Sequence, residues 1–119
     1  MAQSILVVDD EQDVSLMLKD RLTFLGFHVT TASNGAEAMS MIKTLTVDGI
    51  LLDIQMPVMN GMTMLEQVRE QNSSMPVIVM TAELNKKKLI QAMELGANDY
   101  LVKPIDLDLL AKKCFTLFG

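Results

Sequence analysis

The sequence contains 119 residues, a length that supports one hydrophobic core and leaves no room for a second. Half of the residues are hydrophobic and 21% are charged, so the composition excludes intrinsic disorder, and no apolar run is long enough to cross a membrane. Fifteen acidic and ten basic residues give a net charge of -5, which disfavours direct binding to nucleic acid or to an anionic membrane. We therefore expect one soluble globular domain.

The cysteine content and the first residues of the chain indicate the cellular compartment in which the protein works. Cys114 is the only cysteine, so no internal disulfide can form. The stretch from Met1 to Ser4 lacks the basic segment and the long apolar run of a secretory signal. We expect a cytoplasmic location.

Five short apolar segments alternate with segments of helical periodicity. The predicted strands are, in chain order, 5–8, 28–32, 50–52, 77–80 and 100–102. The first predicted helix carries its apolar stripe at Val14, Met17, Leu18, Leu22 and Leu25. Strict alternation of strand and helix predicts a parallel sheet with right-handed crossovers and helices on both faces. Because such sheets bind ligands at the carboxyl ends of their strands, we expect the functional residues there.

Acidic, hydroxyl and lysine side chains close four of the five predicted strands. They are Asp9 and Asp10 after the first strand, Asp53 after the third, Thr81 after the fourth and Lys103 after the fifth. If the first and third strands are neighbours, the three carboxylates converge and a cation must offset their repulsion. Mg²⁺ is the natural candidate, because it takes oxygen ligands from one or two carboxylates and keeps waters that a phosphate can replace. Lys103 would supply a second positive charge.

Asp53 follows a wholly apolar predicted strand, so its backbone would be fixed while its carboxylate opens at the rim of the sheet. A carboxylate that attacks phosphorus needs the negative charge of its partner neutralised, and a metal, Lys103 and the hydroxyl of Thr81 can do that. The arrangement indicates formation of an acyl phosphate on Asp53. Each residue taken alone is more simply a turn, strand or surface residue, and the prediction depends on their joint occurrence at the strand ends.

The same residues stand in segments typical of a known family. The segments 7–11, 51–61, 80–82 and 96–104 occur in the order found in receiver domains of two-component response regulators, and the chain resembles that family over its whole length. The resemblance implies a flavodoxin-like three-layer (βα)5 sandwich of the α/β class, with a parallel sheet of order 2-1-3-4-5. Residues 1–119 would form a single receiver domain.

The resemblance also implies a phosphoryl-transfer reaction. Asp53 would accept a phosphoryl group from the phosphohistidine of a histidine kinase or of a histidine phosphotransfer protein. Asp10, Asp53 and the main-chain carbonyl of Gln55 would bind Mg²⁺, and Asp9 would hold the ion through water. Such a protein assists its own phosphorylation and dephosphorylation and is not a turnover enzyme on an external substrate.

Further roles are implied for residues around this site. Lys103 would pair with the phosphoryl oxygens, and Thr81 would donate a hydrogen bond to one of them. Thr81 and Tyr100 would form the conformational switch. The Lys103–Pro104 peptide bond would be cis.

Three positions bear on phosphoryl lifetime or depart from the family pattern. Gln55 and Glu83 would flank the route of the water that hydrolyses the phosphoryl group. Asn60 stands where the family commonly has an acid, and we interpret the change as tolerated turn chemistry.

The domain is expected to transmit its signal through a surface that binds another protein. The family commonly signals through its fourth helix, fifth strand and fifth helix, to a downstream protein or a second copy, and Phe115 is expected to be exposed on this side. Three lysines at 86–88 oppose the helix dipole, so the start of the fourth helix is expected to be weakly held after an Asn85 cap. Either the chain is a single-domain regulator, or it is a receiver excised from a longer protein.

Other functions remain open at this point. Phosphatases of the haloacid dehalogenase type also use an aspartyl phosphate, but they need an acid two residues after the nucleophile, where this chain has Gln55. A nucleotide or flavin carrier would need glycines or hydroxyls in the first loop instead of acids. The remaining alternative is a receiver-like binding module that works without phosphorylation.

Overall fold

The computed structural model describes residues 2–56, 60–82 and 84–119. Within these ranges strands and helices alternate strictly. The strands are β1 (Ser4–Val8), β2 (His28–Ala32), β3 (Gly49–Asp53), β4 (Val77–Ala82) and β5 (Asp99–Lys103). The helices are α1 (Gln12–Phe24), α2 (Gly35–Thr44), α3 (Gly61–Gln71), α4 (Lys86–Glu94) and α5 (Leu107–Leu117).

The five strands pair in parallel in one sheet of order β2-β1-β3-β4-β5. This is the order 2-1-3-4-5 of the flavodoxin-like sandwich, and the predicted fold class is confirmed. From β1 the chain adds β2 on one side of the sheet. It then adds β3, β4 and β5 in turn on the other side. The winding therefore reverses between β1 and β3, where the loops that follow these strands diverge and leave a crevice.

Two hydrophobic layers cover the sheet, one on each face. Leu6 and Val8 of β1 belong to the layer formed with α2, α3 and α4, whereas Ile5 and Val7 belong to the layer formed with α1 and α5. This alternation is the two-residue period of a strand that is buried on both faces. The two layers hold the central strands rigidly, so the residues at their carboxyl ends start from fixed backbone positions.

Three strands extend beyond the apolar runs that predicted them. Asp53 is the last residue of β3, Thr81 lies within β4, and Lys103 is the last residue of β5. A pattern of apolar side chains ends at the first polar residue, but the main-chain hydrogen bonds of a parallel ladder continue without regard to side-chain polarity. All three polar residues are thus held by the sheet itself.

The apolar stripe expected on α1 is wrong at Met17, which is 39% exposed. Leu18 and Leu22 do face the core, and Ser15 is buried in addition. The hydroxyl of Ser15 donates a hydrogen bond to the main-chain oxygen of Asp9 at 3.3 Å, which accounts for a polar residue at this position.

The two helices α3 and α4 begin in different ways. The side chain of Asn60 accepts a hydrogen bond from the Thr63 main-chain N–H at 3.0 Å, so the residue that departs from the family pattern caps α3. Asn85 lies at the corresponding position of α4, but its side chain makes no capping hydrogen bond with the described residues. Ala92 is the buried residue of α4. The start of α4 thus lacks the expected cap and begins with three lysines.

The described part of the chain contains no helix that is both long enough and apolar enough to span a membrane.

Candidate functional site

The strand register brings two carboxylates together at the carboxyl edge of the sheet. Val8 of β1 pairs with Leu52 of β3, and the next residues along the chain are Asp9 and Asp53. The main-chain N–H of Asp9 donates to the oxygen of Ala32 at 3.1 Å, which ties the end of β1 to β2. Asp9 is 2% exposed and Asp53 is 3% exposed. The prediction that these acids converge depended on β1 and β3 being neighbours, and the structure has that arrangement.

Lys103 joins these acids from β5, two strands away from β3. Its Nζ atom lies 2.9 Å from Asp9 Oδ2 and 3.0 Å from Asp53 Oδ2. Burial works against the charge of this ammonium group, but the contacts with the Asp9 and Asp53 carboxylates outweigh that effect and raise the pKa of Lys103 above its ordinary value. The Lys103–Pro104 peptide bond is cis. The lysine remains a cation throughout the physiological pH range.

A third acid binds the same ammonium group. Glu11 Oε1 lies 3.1 Å from Lys103 Nζ, and the glutamate side chain is 61% exposed. Glu11 directly follows Asp9 and Asp10 in the sequence, and its pairing with Lys103 was not predicted. The two residues are 92 positions apart, so the adjacency of Glu11 to the paired acids was the only signal in the sequence.

Both oxygens of the Asp53 carboxylate are hydrogen-bonded. Oδ1 accepts from the main-chain N–H of Gln55 at 2.8 Å, and Oδ2 accepts from Lys103. Burial raises the pKa of Asp53 to about 6, although the hydrogen bonds from Gln55 and Lys103 act in the opposite direction. The neighbouring charge of Asp9 adds a smaller upward contribution. At neutral pH the carboxylate is therefore ionised and carries the lone pairs of a nucleophile.

The raised pKa makes stability depend on pH, and we expect the free energy of unfolding to fall as the pH rises from about 4 to about 6. In this interval the folded state keeps a proton on Asp53 that the unfolded chain has released, since the ordinary pKa is 3.8. The decrease attributable to Asp53 should be roughly 2–3 kcal/mol. Asp53→Asn should remove it, so the variant should be more stable than wild type at pH 7.5 and equally stable below about pH 4.

Urea unfolding with EDTA over this pH range measures the effect. Asp20→Asn, which changes an exposed acid of α1, serves as the control and should leave the pH profile unchanged. Identical profiles for the Asp53→Asn variant and wild type would contradict the expectation.

Asp10 completes an acidic cluster. It is exposed, and one carboxylate oxygen from each of Asp9, Asp10 and Asp53 lies within 4.8 Å of the others. Carboxylate oxygens are the ligands that Mg²⁺ prefers, and an exposed member leaves one side of the cluster open to water and phosphate. The donor set therefore fits a hard divalent ion. The side chain of Gln55 is exposed beside the cluster.

Thr81 is buried beyond Asp53, one strand over. Asp53 pairs with Met80 in the β3–β4 register, so Thr81 is the next residue of β4 along the same edge. Its hydroxyl is 3.4 Å from the main-chain oxygen of Ala82, a long hydrogen bond that leaves the donor available for a better acceptor. Tyr100, the other predicted switch residue, is 39% exposed on β5. Glu83 lies outside the described residues.

Gly61, which was not predicted to be a site residue, packs against the backbone of Asp53. A Cβ atom at this position would lie 2.5 Å from the main-chain oxygen of Asp53 and would overlap Ile54 Cα. The first turn of α3 therefore packs directly on the backbone that carries Asp53. The signal was present in the sequence, since Gly61 ends the matched segment, but its reason lies in tertiary packing.

Taken together, the carboxyl edge holds the buried carboxylate of Asp53, the cation of Lys103, the hydroxyl donor of Thr81 and an acidic cluster that is open to a divalent ion. A parallel five-stranded sandwich with these groups at its switch point defines the receiver class of α/β proteins. The chain belongs to the response regulator receiver domain family, whose profile matches residues 5–115. It is thus a receiver domain of two-component response regulators, and receiver domains are regulatory domains.

Individual relatives agree with this assignment. The chain is 40% identical over 100 residues to a probable transcriptional regulator, ycf27, of Cyanidium caldarium, covering 84% of this chain and 40% of that protein. Its fold matches the chemotaxis protein CheY4 of Vibrio cholerae with a TM-score of 0.92 and 30% identity, covering 98% of this chain and 99% of the other. It also matches the response regulator TrrA of Thermotoga maritima in complex with Mg²⁺ and BeF, with a TM-score of 0.87 and 31% identity over 96% of this chain and 97% of that one. The chain spans less than half the length of the curated relative.

Proposed function

We propose that Asp53 is the phosphoacceptor of this receiver domain. An oxygen of its carboxylate attacks the phosphorus of a phosphohistidine, the P–N bond breaks, and a P–O bond forms. The electron pair of the broken bond returns to the imidazole nitrogen of the donor, which takes up a proton. The observation that carries the proposal is the buried, ionised carboxylate at the end of β3, held through both oxygens in a fixed orientation.

Two side chains of the site handle the charge of the incoming phosphoryl group. Lys103 contacts Asp53 Oδ2 at 3.0 Å, so a phosphoryl group on that carboxylate would come within reach of the same ammonium group. Thr81 would turn its hydroxyl from the Ala82 oxygen to a phosphoryl oxygen. Donors aimed at the oxygens where charge collects stabilise the transition state more than the ground state.

We further propose that Asp10, Asp53 and the carbonyl oxygen of Gln55 hold Mg²⁺, with Asp9 in contact through water. The acidic cluster supports this assignment, and TrrA of Thermotoga maritima is a relative in complex with Mg²⁺. When bound, the ion would neutralise charge on the phosphoryl oxygens. Gln55 and Glu83 would then govern access of water to the acyl phosphate.

The proposed partners are proteins. A histidine kinase or a histidine phosphotransfer protein would donate the phosphoryl group, and the chain would assist its own phosphorylation and dephosphorylation without turning over an external substrate. The output would pass through the α4-β5-α5 surface to a downstream protein or to a second copy of the chain. This surface exposes apolar side chains, namely Ile90, Met93, Tyr100, Val102 and Leu109. We place the reaction in the cytoplasm, in accord with the free thiol of Cys114.

Mass spectrometry tests the phosphoacceptor. Incubation of the purified domain with acetyl phosphate and Mg²⁺ should add about 80 Da, the mass of one phosphoryl group, and EDTA should prevent the addition. Asp53→Asn should abolish the adduct. The matched control is Asp13→Asn, which changes an exposed acid in the first turn of α1 and should leave the adduct intact.

Two results would overturn the proposal. An adduct that persists in the Asp53→Asn variant would place the phosphoryl group elsewhere. A folded wild-type domain with no adduct would favour a binding module that works without phosphorylation.

A further inference from the structure

Tyr100 has two possible environments because it lies on the edge strand of the sheet. Its neighbour Leu101 belongs to the layer beneath α1 and α5, so Tyr100 and Val102 are directed to the opposite face, which α4 covers. Val102 pairs with Thr81 in the β4–β5 register. The tyrosine ring can therefore lie over the sheet towards Thr81, or it can turn outward around the sheet edge. In the structure Tyr100 is 39% exposed.

A single lysine of α5 contacts the outward ring. Lys113 Nζ lies 4.6 Å from the centre of the Tyr100 ring, 2.6 Å from the Tyr100 main-chain oxygen and 2.9 Å from Asp99 Oδ1. The lysine side chain is itself only 19% exposed. A cation placed over an aromatic ring is attracted to its face, and the two oxygen contacts fix the cation in that position.

The two contacts with oxygen do not depend on the orientation of the ring, but the contact with the ring does. Residues near Lys113 on α5, Leu110 and Cys114, are buried in the layer on the face opposite to Thr81. A tyrosine ring that lies over the face of Thr81 would therefore lose its contact with the ammonium group of Lys113. Lys113 therefore favours the outward orientation specifically.

We infer that Lys113 is a positioning residue that holds Tyr100 outward in the unphosphorylated domain. The inference deepens the proposed function, because it gives the proposed Thr81–Tyr100 switch a resting-state contact that must break when the ring turns inward. Removing the ammonium group should lower the ratio of outward to inward ring by roughly two- to fivefold. By linkage, if phosphorylation favours the inward ring, the equilibrium for phosphorylation should shift towards the acyl phosphate by up to the same factor, roughly two- to fivefold.

The composition of the chain offers a direct readout. Tyr100 is the only tyrosine and there is no tryptophan, so the intrinsic fluorescence reports this one ring. In the absence of any phosphoryl donor, Lys113→Met and Lys113→Gln should both lower the acrylamide quenching constant, since an inward ring is less accessible. Lys113→Arg keeps a cation that can lie over the ring and should restore the wild-type constant. Lys112→Met, at an exposed neighbouring lysine of α5, is the matched control and should behave as wild type.

The outcomes separate the inference from the proposal on which it rests. A quenching constant that stays the same or rises in both uncharged variants overturns the role of Lys113, because loss of the lysine then only uncovers an outward ring. Failure of Lys113→Arg to restore the quenching constant would also overturn the role of Lys113. Arginine supplies a cation, so such a failure would show that the cation does not determine the position of the ring. If the wild-type domain forms no acyl phosphate, the proposed function fails, yet the quenching measurement still decides whether Lys113 holds the ring.

Discussion

The Lys103→Met variant is expected to be phosphorylated by acetyl phosphate about 10²- to 10³-fold more slowly than wild type. Methionine keeps most of the length of the unbranched side chain but removes the cation that contacts Asp9, Glu11 and Asp53. The transition state would lose a donor to the phosphoryl oxygens. The pKa of Asp53, already about 6, would also rise further, because the hydrogen bond from Lys103 is one of the contacts that lowers it. Fewer molecules would then carry an ionised Asp53 carboxylate.

A time course of the mass adduct at pH 7.5 measures this effect, with Lys112→Met as the control for loss of an exposed lysine charge. A rate within about threefold of wild type would contradict the role of Lys103, because one missing donor of this kind normally costs far more.

The same variant should be less stable at pH 8, by about 3 kcal/mol, because Asp9 and Asp53 are buried and lose their shared cation. Stability should recover as the pH falls and Asp53 takes up a proton, since burial raises the pKa of this carboxyl. The loss should be smaller when Asp53→Asn is already present, since one of the two buried charges is then gone. An equal loss in both backgrounds would show that the ammonium group does not stabilise the Asp53 carboxylate.

The convergence of Asp9, Asp53 and Lys103 could be predicted because it follows from topology. Each residue ends an apolar run, and in a parallel sheet all carboxyl ends meet at one edge. The strand order itself came from the family resemblance, since alternation of strands and helices does not determine which strands are neighbours. Once β1 and β3 are adjacent, the register of Val8 with Leu52 places the two acids side by side.

Side-chain contacts between different helices and strands could not be predicted in this way. Glu11 meets Lys103 across 92 positions, and Lys113 meets Tyr100 only because α5 packs beside the sheet edge. Side-chain periodicity identifies which face of a helix is buried, but it does not give the rotation and height at which that helix packs. For the same reason the pattern on α1 placed Met17 in the core, where Ser15 is buried instead.

Gly61→Ala provides the sharpest test of how packing positions Asp53, because two physical effects predict opposite signs for the change in stability. Gly61 is the first residue of α3, and helix propensity alone predicts that alanine would stabilise the helix by up to about 1 kcal/mol. The Cβ atom, however, would lie 2.5 Å from the Asp53 main-chain oxygen and would overlap Ile54 Cα. Backbone atoms cannot move aside as a flexible side chain can, so we expect a net loss of roughly 1–3 kcal/mol.

Displacement of this backbone by the alanine Cβ should also affect phosphorylation, because the same backbone carries Asp53. We expect phosphorylation by acetyl phosphate to slow by about 10- to 100-fold, because small misplacements of a reacting group are costly. Gly26→Ala is the matched control: Gly26 has a φ of 100° but no atom within 4 Å of its added Cβ. It should lose about 1 kcal/mol from backbone strain and keep the wild-type phosphorylation rate. If Gly61→Ala proves as stable and as active as wild type, α3 can shift away from β3, and the position of Asp53 is set by the sheet alone.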